Sequence, residues 1–156
     1  MKGDQTMAVS AAGLRVALLV SGYHAEVAES LRRGAVEAFA GAGGDADAIV
    51  TIEVPGAFEL VPVAAVAARR KDIHAVVALG CIVRGDTRHD RVLAGAVATA
   101  LAGLAAECGK PVALGVLTVE SLRQARERSG GKHGNKGQEA MMAAIAAARA
   151  VERARA

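Results

Sequence analysis

His89 closes the stretch Gly80-Cys81-Ile82-Val83-Arg84-Gly85-Asp86-Thr87-Arg88-His89, whose residue types suit proton transfer beside a bound anion. An imidazole changes protonation more readily near neutral pH than other side chains. The apolar run His74-Ala75-Val76-Val77-Ala78-Leu79 precedes the stretch and reads as a short buried strand, while Val92-Leu93-Ala94-Gly95-Ala96-Val97 opens an Ala-rich helical run after it. The stretch is therefore a strand end, a glycine-bounded turn and a helix N-terminus. That geometry aims backbone N–H groups and a helix dipole at one spot, which favours an anion. Asp86 or Thr87 is placed to cap the helix. The plain alternative is an ordinary βα turn with a solvated histidine, and the rest of the chain has to decide between the two.

Other segments add candidates. Tyr23, in the turn Gly22-Tyr23-His24, is either a boundary aromatic packed on the following helix or a ring that stacks on a flat heterocycle. Pro55-Gly56-Ala57-Phe58-Glu59 sets a phenyl ring and a carboxylate at a helix start; capping accounts for Glu59, but Phe58 has no evident core duty. Arg123, Arg126, Arg128, Lys132 and Lys136 surround a Gly-rich loop over 129–137. They read as a solvated face, with anion capture open to one or two of them. The loop only superficially resembles a P-loop, because no strand precedes it and Lys132 is followed by His. His89-Asp90 supplies too few ligands for zinc.

These residues need positioning, and the alternation of patterns supplies it. Strands are expected at 14–21, 49–54, 74–82 and 112–117, and helices at 25–42, 57–70, from the motif to Cys108, 120–128 and from the Gly-rich loop to the end. Gly43-Gly44, Pro55-Gly56, Gly109 and Pro111 punctuate them. Four strand–helix alternations predict an α/β domain with a parallel four-stranded sheet and right-handed crossovers. Ligands in such sheets sit beyond the carboxyl ends of the strands. The turns at 22–24, 55–59, 81–89 and 114–118 are expected to meet on that edge, and every candidate motif is expected to fall there. Residues 1–13 are small and polar, an N-terminal arm; 14–156 read as a single domain.

Composition excludes other classes. Hydrophobic residues make 53% of the 156-residue chain and aromatics only 2%, so Ala, Val, Leu and Ile must build the core. The net charge of +3 is spread among acids, with neither the basic stripe nor the stacking aromatics that nucleic-acid binding wants. Two cysteines, Cys81 and Cys108, form no disulfide framework and fit a reduced, cytoplasmic setting. No apolar run approaches the ~20 residues of a membrane span, so no membrane partner is expected.

Four blocks together resemble the lumazine synthase family of riboflavin biosynthesis: Val54-Pro55-Gly56-Ala57-Phe58-Glu59, the 80–89 stretch, Gly115-Val116-Leu117-Thr118 with Glu120, and Gly134-Asn135-Lys136-Gly137. The resemblance spans about residues 14–150. It implies a flavodoxin-like three-layer fold and condensation of 5-amino-6-ribitylaminouracil with dihydroxybutanone phosphate to dimethyl-ribityllumazine, with loss of phosphate. By the same resemblance His89 transfers protons, and Tyr23 stacks on the pyrimidine. Ala57, Phe58 and Glu59 line the ribityl side, and Cys81, Ile82 and Val83 offer backbone groups to the pyrimidine. Gly85, Asp86 and Thr87 hold phosphate together with an Arg128 from the neighbouring subunit, and Leu114 occupies a site position that often carries Phe or Asn. The family implies homopentamers, in some members twelve of them in an icosahedral shell, with riboflavin synthase as a partner. No metal or redox cofactor is implied, since imine formation and elimination need only proton transfer and phosphate stabilisation. The chain departs from the family at Gly22-Tyr23-His24, Asp90-Arg91, Leu114 and Asp86. A negative charge at Asp86 suits a phosphate site only if that side chain caps the helix. The other function class compatible with the sequence is a binding or shell-forming homologue that has lost or changed the chemistry.

Overall fold

In the computed structural model, which describes residues 9–156, four parallel strands form one sheet in the order β2-β1-β3-β4. They are β1 (Val16–Ser21), β2 (Ile49–Val54), β3 (Ala75–Val83) and β4 (Val112–Val119). β1 and β3 lie at the centre, which is why their sequences are nearly all apolar: every residue of β1 and all but the last of β3 are buried. Alternation along β3 splits the core. Val77, Leu79 and Cys81 face helices α1 (Ala25–Gly41) and α5 (Lys136–Arg155), while Val76, Ala78 and Ile82 face α2 (Leu60–Arg69) and α3 (His89–Cys108). The result is the expected three-layer, flavodoxin-like arrangement. Phe39 on α1, fully buried, is the one large aromatic in a core of small aliphatic residues.

Several boundaries differ from the sequence reading. β4 runs on to Val119, paired with Val83, so 114–118 is strand and not turn. Helix α2 begins at Leu60 instead of Ala57, leaving Ala57-Phe58-Glu59 as a turn. A short helix α4 (Leu122–Arg128) is capped by Ser121, whose Oγ accepts from Gln124 N–H at 3.3 Å. The Gly-rich segment is a small antiparallel hairpin, β5 (Ser129–Gly131) and β6 (Gly134–Asn135). Asn135 then caps α5, its Oδ1 accepting from Gly137 and Gln138 N–H while its Nδ2 donates to Ser30 O. Of the stretch read as an arm, residues 1–8 lie outside the described residues. Ala11 is fully buried in the α1/α5 core, and Arg149 donates to the carbonyls of Ser10 and Ala12.

The expectation that no segment nears membrane-spanning length needs correction. Helix α3 is long and apolar enough by composition to cross a bilayer. Both of its ends are tied to adjacent paired strands, β3 and β4, and that connection makes it a crossover helix. Only Val97, Leu101 and Leu104 of its twenty residues are buried, and Val92 is 68% exposed.

Candidate active site

A cavity of about 650 Å3 opens at the carboxyl edge of the sheet, and three turns supply its walls. The turn after β1 contributes Tyr23 and His24. The turn after β2 contributes Gly56, Ala57, Phe58 and Glu59, and the end of β3 with its following turn contributes Cys81, Ile82, Val83, Gly85, Thr87 and His89. Asp90, Val92, Leu93 and Ala96 close it from the first turns of α3. The edge location follows from the parallel topology, which brings all strand-to-helix turns to one side.

The aromatic rings are held out toward solvent. Tyr23 is 68% and Phe58 60% exposed, whereas the third aromatic, Phe39, is fully buried. Exposed rings on opposite turns of one cavity suit a flat ligand that completes their burial. Glu59 occupies the N-cap position of α2 but makes no side-chain capping bond, so capping does not account for it. Its carboxylate lies over Gly56, where an added methyl would come within 2.9 Å of Glu59 Oε2. An uncommitted carboxylate at the cavity wall is an acceptor for ligand hydroxyl or amino groups. Ile82 and Cys81 are buried and line the cavity. Burial pushes the Cys81 thiol up to about 11.

The 85–89 turn leads from β3 into the N-terminus of α3, and its caps differ from the sequence reading. Thr87 Oγ1 accepts from His89 N–H at 3.3 Å, and the N-cap position itself falls on Arg88, which makes no side-chain cap. Asp86 makes no hydrogen bond among the described residues, is exposed, and does not line the cavity. The condition that its carboxylate caps the helix is therefore not met. Arg84 is taken up outside the cavity: its Nη1 donates to Glu120 Oε2 at 2.7 Å, clamping the turn after β3 to the turn after β4. That carboxylate raises the already high guanidinium pKa of Arg84.

Besides Asp86, two predicted site residues stand apart from the cavity within the chain. Leu114 lies on the edge strand β4, 44% exposed. Arg128, at the end of α4, donates to Gln124 O at 3.2 Å and lies 3.6 Å from Glu127 Oε2. The rest of the basic cluster is largely paired: Arg123 and Lys132 with Glu127, Arg126 with Glu26, and Lys136 with Glu139. A second cavity, of about 530 Å3, sits at the opposite sheet edge. Most of its cations are engaged: Lys110 Nζ donates to Arg70 O and Arg155 Nη2 to Gly109 O, while Arg69 and Arg70 pair with Glu107 and Asp72.

His24 and Gly56 line the cavity although neither was singled out as a site residue. The signal for His24 was its place next to Tyr23 in a turn at the carboxyl edge. For Gly56 it was the Pro-Gly turn that ends β2.

The chain from residue 13 to 152 matches the family model for 6,7-dimethyl-8-ribityllumazine synthase. Curated relatives of that name include one from Thermus thermophilus, 43% identical over 144 residues, which covers 92% of each chain. One from Aquifex aeolicus is 40% identical over 137 residues, covering 88% of this chain and 89% of the relative. Another, from Porphyromonas gingivalis, is 41% identical over 132 residues, 85% of this chain and 82% of the relative. With that identity sustained over nearly the whole domain, and the 54–59 and 80–89 blocks walling one cavity, the chain belongs to the 6,7-dimethyl-8-ribityllumazine synthase family.

Proposed function

We propose that this protein is an active lumazine synthase: it condenses 5-amino-6-(D-ribitylamino)uracil with 3,4-dihydroxy-2-butanone 4-phosphate, releases phosphate and closes the lumazine ring. One observation carries the reading. The aromatic pair Tyr23 and Phe58, the Glu59 carboxylate, the backbone edge 81–83 and the Gly85–His89 turn share one cavity of about 650 Å3. That is room for a bicyclic product with a polyol chain, and each wall meets one part of it. The pyrimidine stacks on Tyr23 and bonds to backbone at Cys81–Val83. Phe58 and Glu59, with Ala57, take the ribityl chain. The phosphate sits at the N-terminus of α3 against Gly85 and Thr87.

His89, at the first position of α3, is the residue placed to shuttle protons as the amine adds to the ketone, water leaves and the phosphate departs. Arg128 and Leu114 belong to the same site in an assembly, contributed by a neighbouring copy. We read the assembly as a homopentamer, with a shell of twelve pentamers compatible with the short 129–135 hairpin. The chain reads as a domain over 14–156 with an arm over 1–13, working in the cytoplasm. The unburied apolar flank of α3 is the kind of surface a second copy covers.

Mixing the two substrates with purified protein and following lumazine fluorescence tests the chemistry. Product formation no faster than without protein overturns it and leaves a binding homologue. Light scattering tests the assembly: a mass near that of one 15.8 kDa chain refutes the shared site. A mass of about five chains refutes only the shell.

A further inference from the structure

His24 is held in a way its own helix does not explain. It precedes α1 with φ 55° and ψ 63°, and among the described residues it is the one non-glycine with positive φ. Glycine adopts that left-handed conformation freely, whereas any side chain there, histidine included, carries a cost. The position is also an N-cap, where Ser, Thr, Asp or Asn would accept from a first-turn N–H, and His24 makes no such bond. Backbone strain and a forgone cap at the wall of a ligand cavity point to a duty of the side chain itself.

The ring has one aromatic partner. His24 and Tyr23 meet edge to face, with centroids 5.9 Å apart and planes at 70°. Gly56 lies near the Tyr23 ring, where an added methyl would stand 3.8 Å from Tyr23 Cδ2. For a ring 68% exposed to solvent, the His24 imidazole is the aromatic neighbour able to restrain its plane. We propose that His24 is a positioning residue for the flat heterocyclic substrate: its imidazole fixes the Tyr23 ring in the orientation on which the pyrimidine stacks. The substrate half of this inference rests on the function proposed above, whereas the ordering of Tyr23 does not.

The chain has one tyrosine and no tryptophan, so its intrinsic fluorescence anisotropy reports on Tyr23 alone. The test variant is His24→Asn, which tolerates the left-handed backbone, restores a cap acceptor and removes the ring. Its thermal midpoint stays equal or rises, while Tyr23 anisotropy falls. The KM for the pyrimidine rises roughly 2- to 12-fold, the range set by edge-to-face aromatic pairs, and the KM for the phosphorylated ketone stays put. In the Tyr23→Ala background the same substitution has no further effect on the pyrimidine KM. His24→Phe, which keeps a ring at the edge of Tyr23, restores anisotropy and KM. Unchanged anisotropy in His24→Asn, or additive effects with Tyr23→Ala, overturns the inference. A fall in anisotropy in a protein that makes no lumazine supports the ordering of Tyr23 and overturns the proposed function instead.

Discussion

Cys81 lines the cavity, yet its thiol belongs to the core, and the two roles separate experimentally. The side chain faces α1 and α5 along with Val77 and Leu79, and the residue is 3% exposed. Burial moves the thiol from 9.0 to about 11, two units, so at pH 8 the thiolate fraction is about a hundredfold smaller than for an ordinary cysteine. In the folded protein, an aromatic disulfide reagent at pH 8 modifies the half-buried Cys108 first, and Cys81 at least about 100-fold more slowly. In denaturant both react together. The same shift has a stability consequence. Below pH 9 the thiol is protonated in both states; between 9 and about 11 the unfolded chain loses its proton and the folded one keeps it. Stability is thus lost as pH rises through that window, by at most about 3 kcal/mol. Cys81→Ala removes the effect, costs about 1 kcal/mol for the small void, and leaves kcat within twofold, because the backbone is what serves the pyrimidine. Modification of Cys81 as fast as Cys108 in the folded state, or a tenfold drop in kcat for Cys81→Ala, would refute this division of labour.

Three further substitutions probe the cradle. His89→Ala lowers kcat by roughly 10- to 10³-fold with an unchanged circular dichroism spectrum, the modest end allowing for spontaneous imine chemistry; unchanged kcat removes His89 from the mechanism. Arg128→Ala chiefly raises the KM of the phosphorylated ketone, and a rise confined to the pyrimidine KM reverses the assignment of the two ends. Asp86→Asn lowers the KM of the phosphorylated ketone about 2- to 5-fold, since it removes an exposed charge beside the phosphate turn; a higher KM shows that the carboxylate serves binding.

Much of this was legible because burial on both faces leaves a plain mark. β1 and β3 are central, so their sequences are unbroken apolar runs, and glycines close the helices where the chain turns left-handed, as at Gly43 and Gly109. β2 and β4 are edge strands with alternating burial, and the end of β4 was accordingly misplaced by two residues. The 129–135 hairpin leaves no trace in the sequence, because strands of three and two residues made of Ser, Gly and Asn carry no hydrophobic period. Helix starts were the other weak point. Residue type alone suggests caps at Glu59 and at Asp86 or Thr87; capping needs a side chain turned back over the first turn, which Thr87 achieves toward His89 N–H while Glu59 and Asp86 do not. Nor does sequence reveal a positive φ at His24, which arises from the sharp exit of β1 into α1 and not from any residue preference.

The phosphate end of the site is electrostatically incomplete within one chain, and this gives the assembly a functional test. The N-terminus of α3 offers about half a positive charge. Arg84 is neutralised by Glu120, Asp86 adds a negative charge and the exposed Arg88 does not line the cavity, while Arg128 is held at the end of α4 by Gln124 O and Glu127, outside the cavity wall. A dianionic phosphate bound there wants a cation that a neighbouring copy can bring. If each site pairs His89 of one chain with Arg128 of the next, His89→Ala and Arg128→Ala chains co-assembled one to one rebuild intact sites. Each site needs His89 on one side and Arg128 on the other, each with odds of one half, so about a quarter of sites carry both. Assayed at ketone concentrations well below KM, the mixture recovers about a quarter of the native rate, above the mean of the two variants measured separately. If both residues served the same cavity from one chain, co-assembly would create no intact site. The mixture would then do no better than that mean, and the shared-site argument would fail.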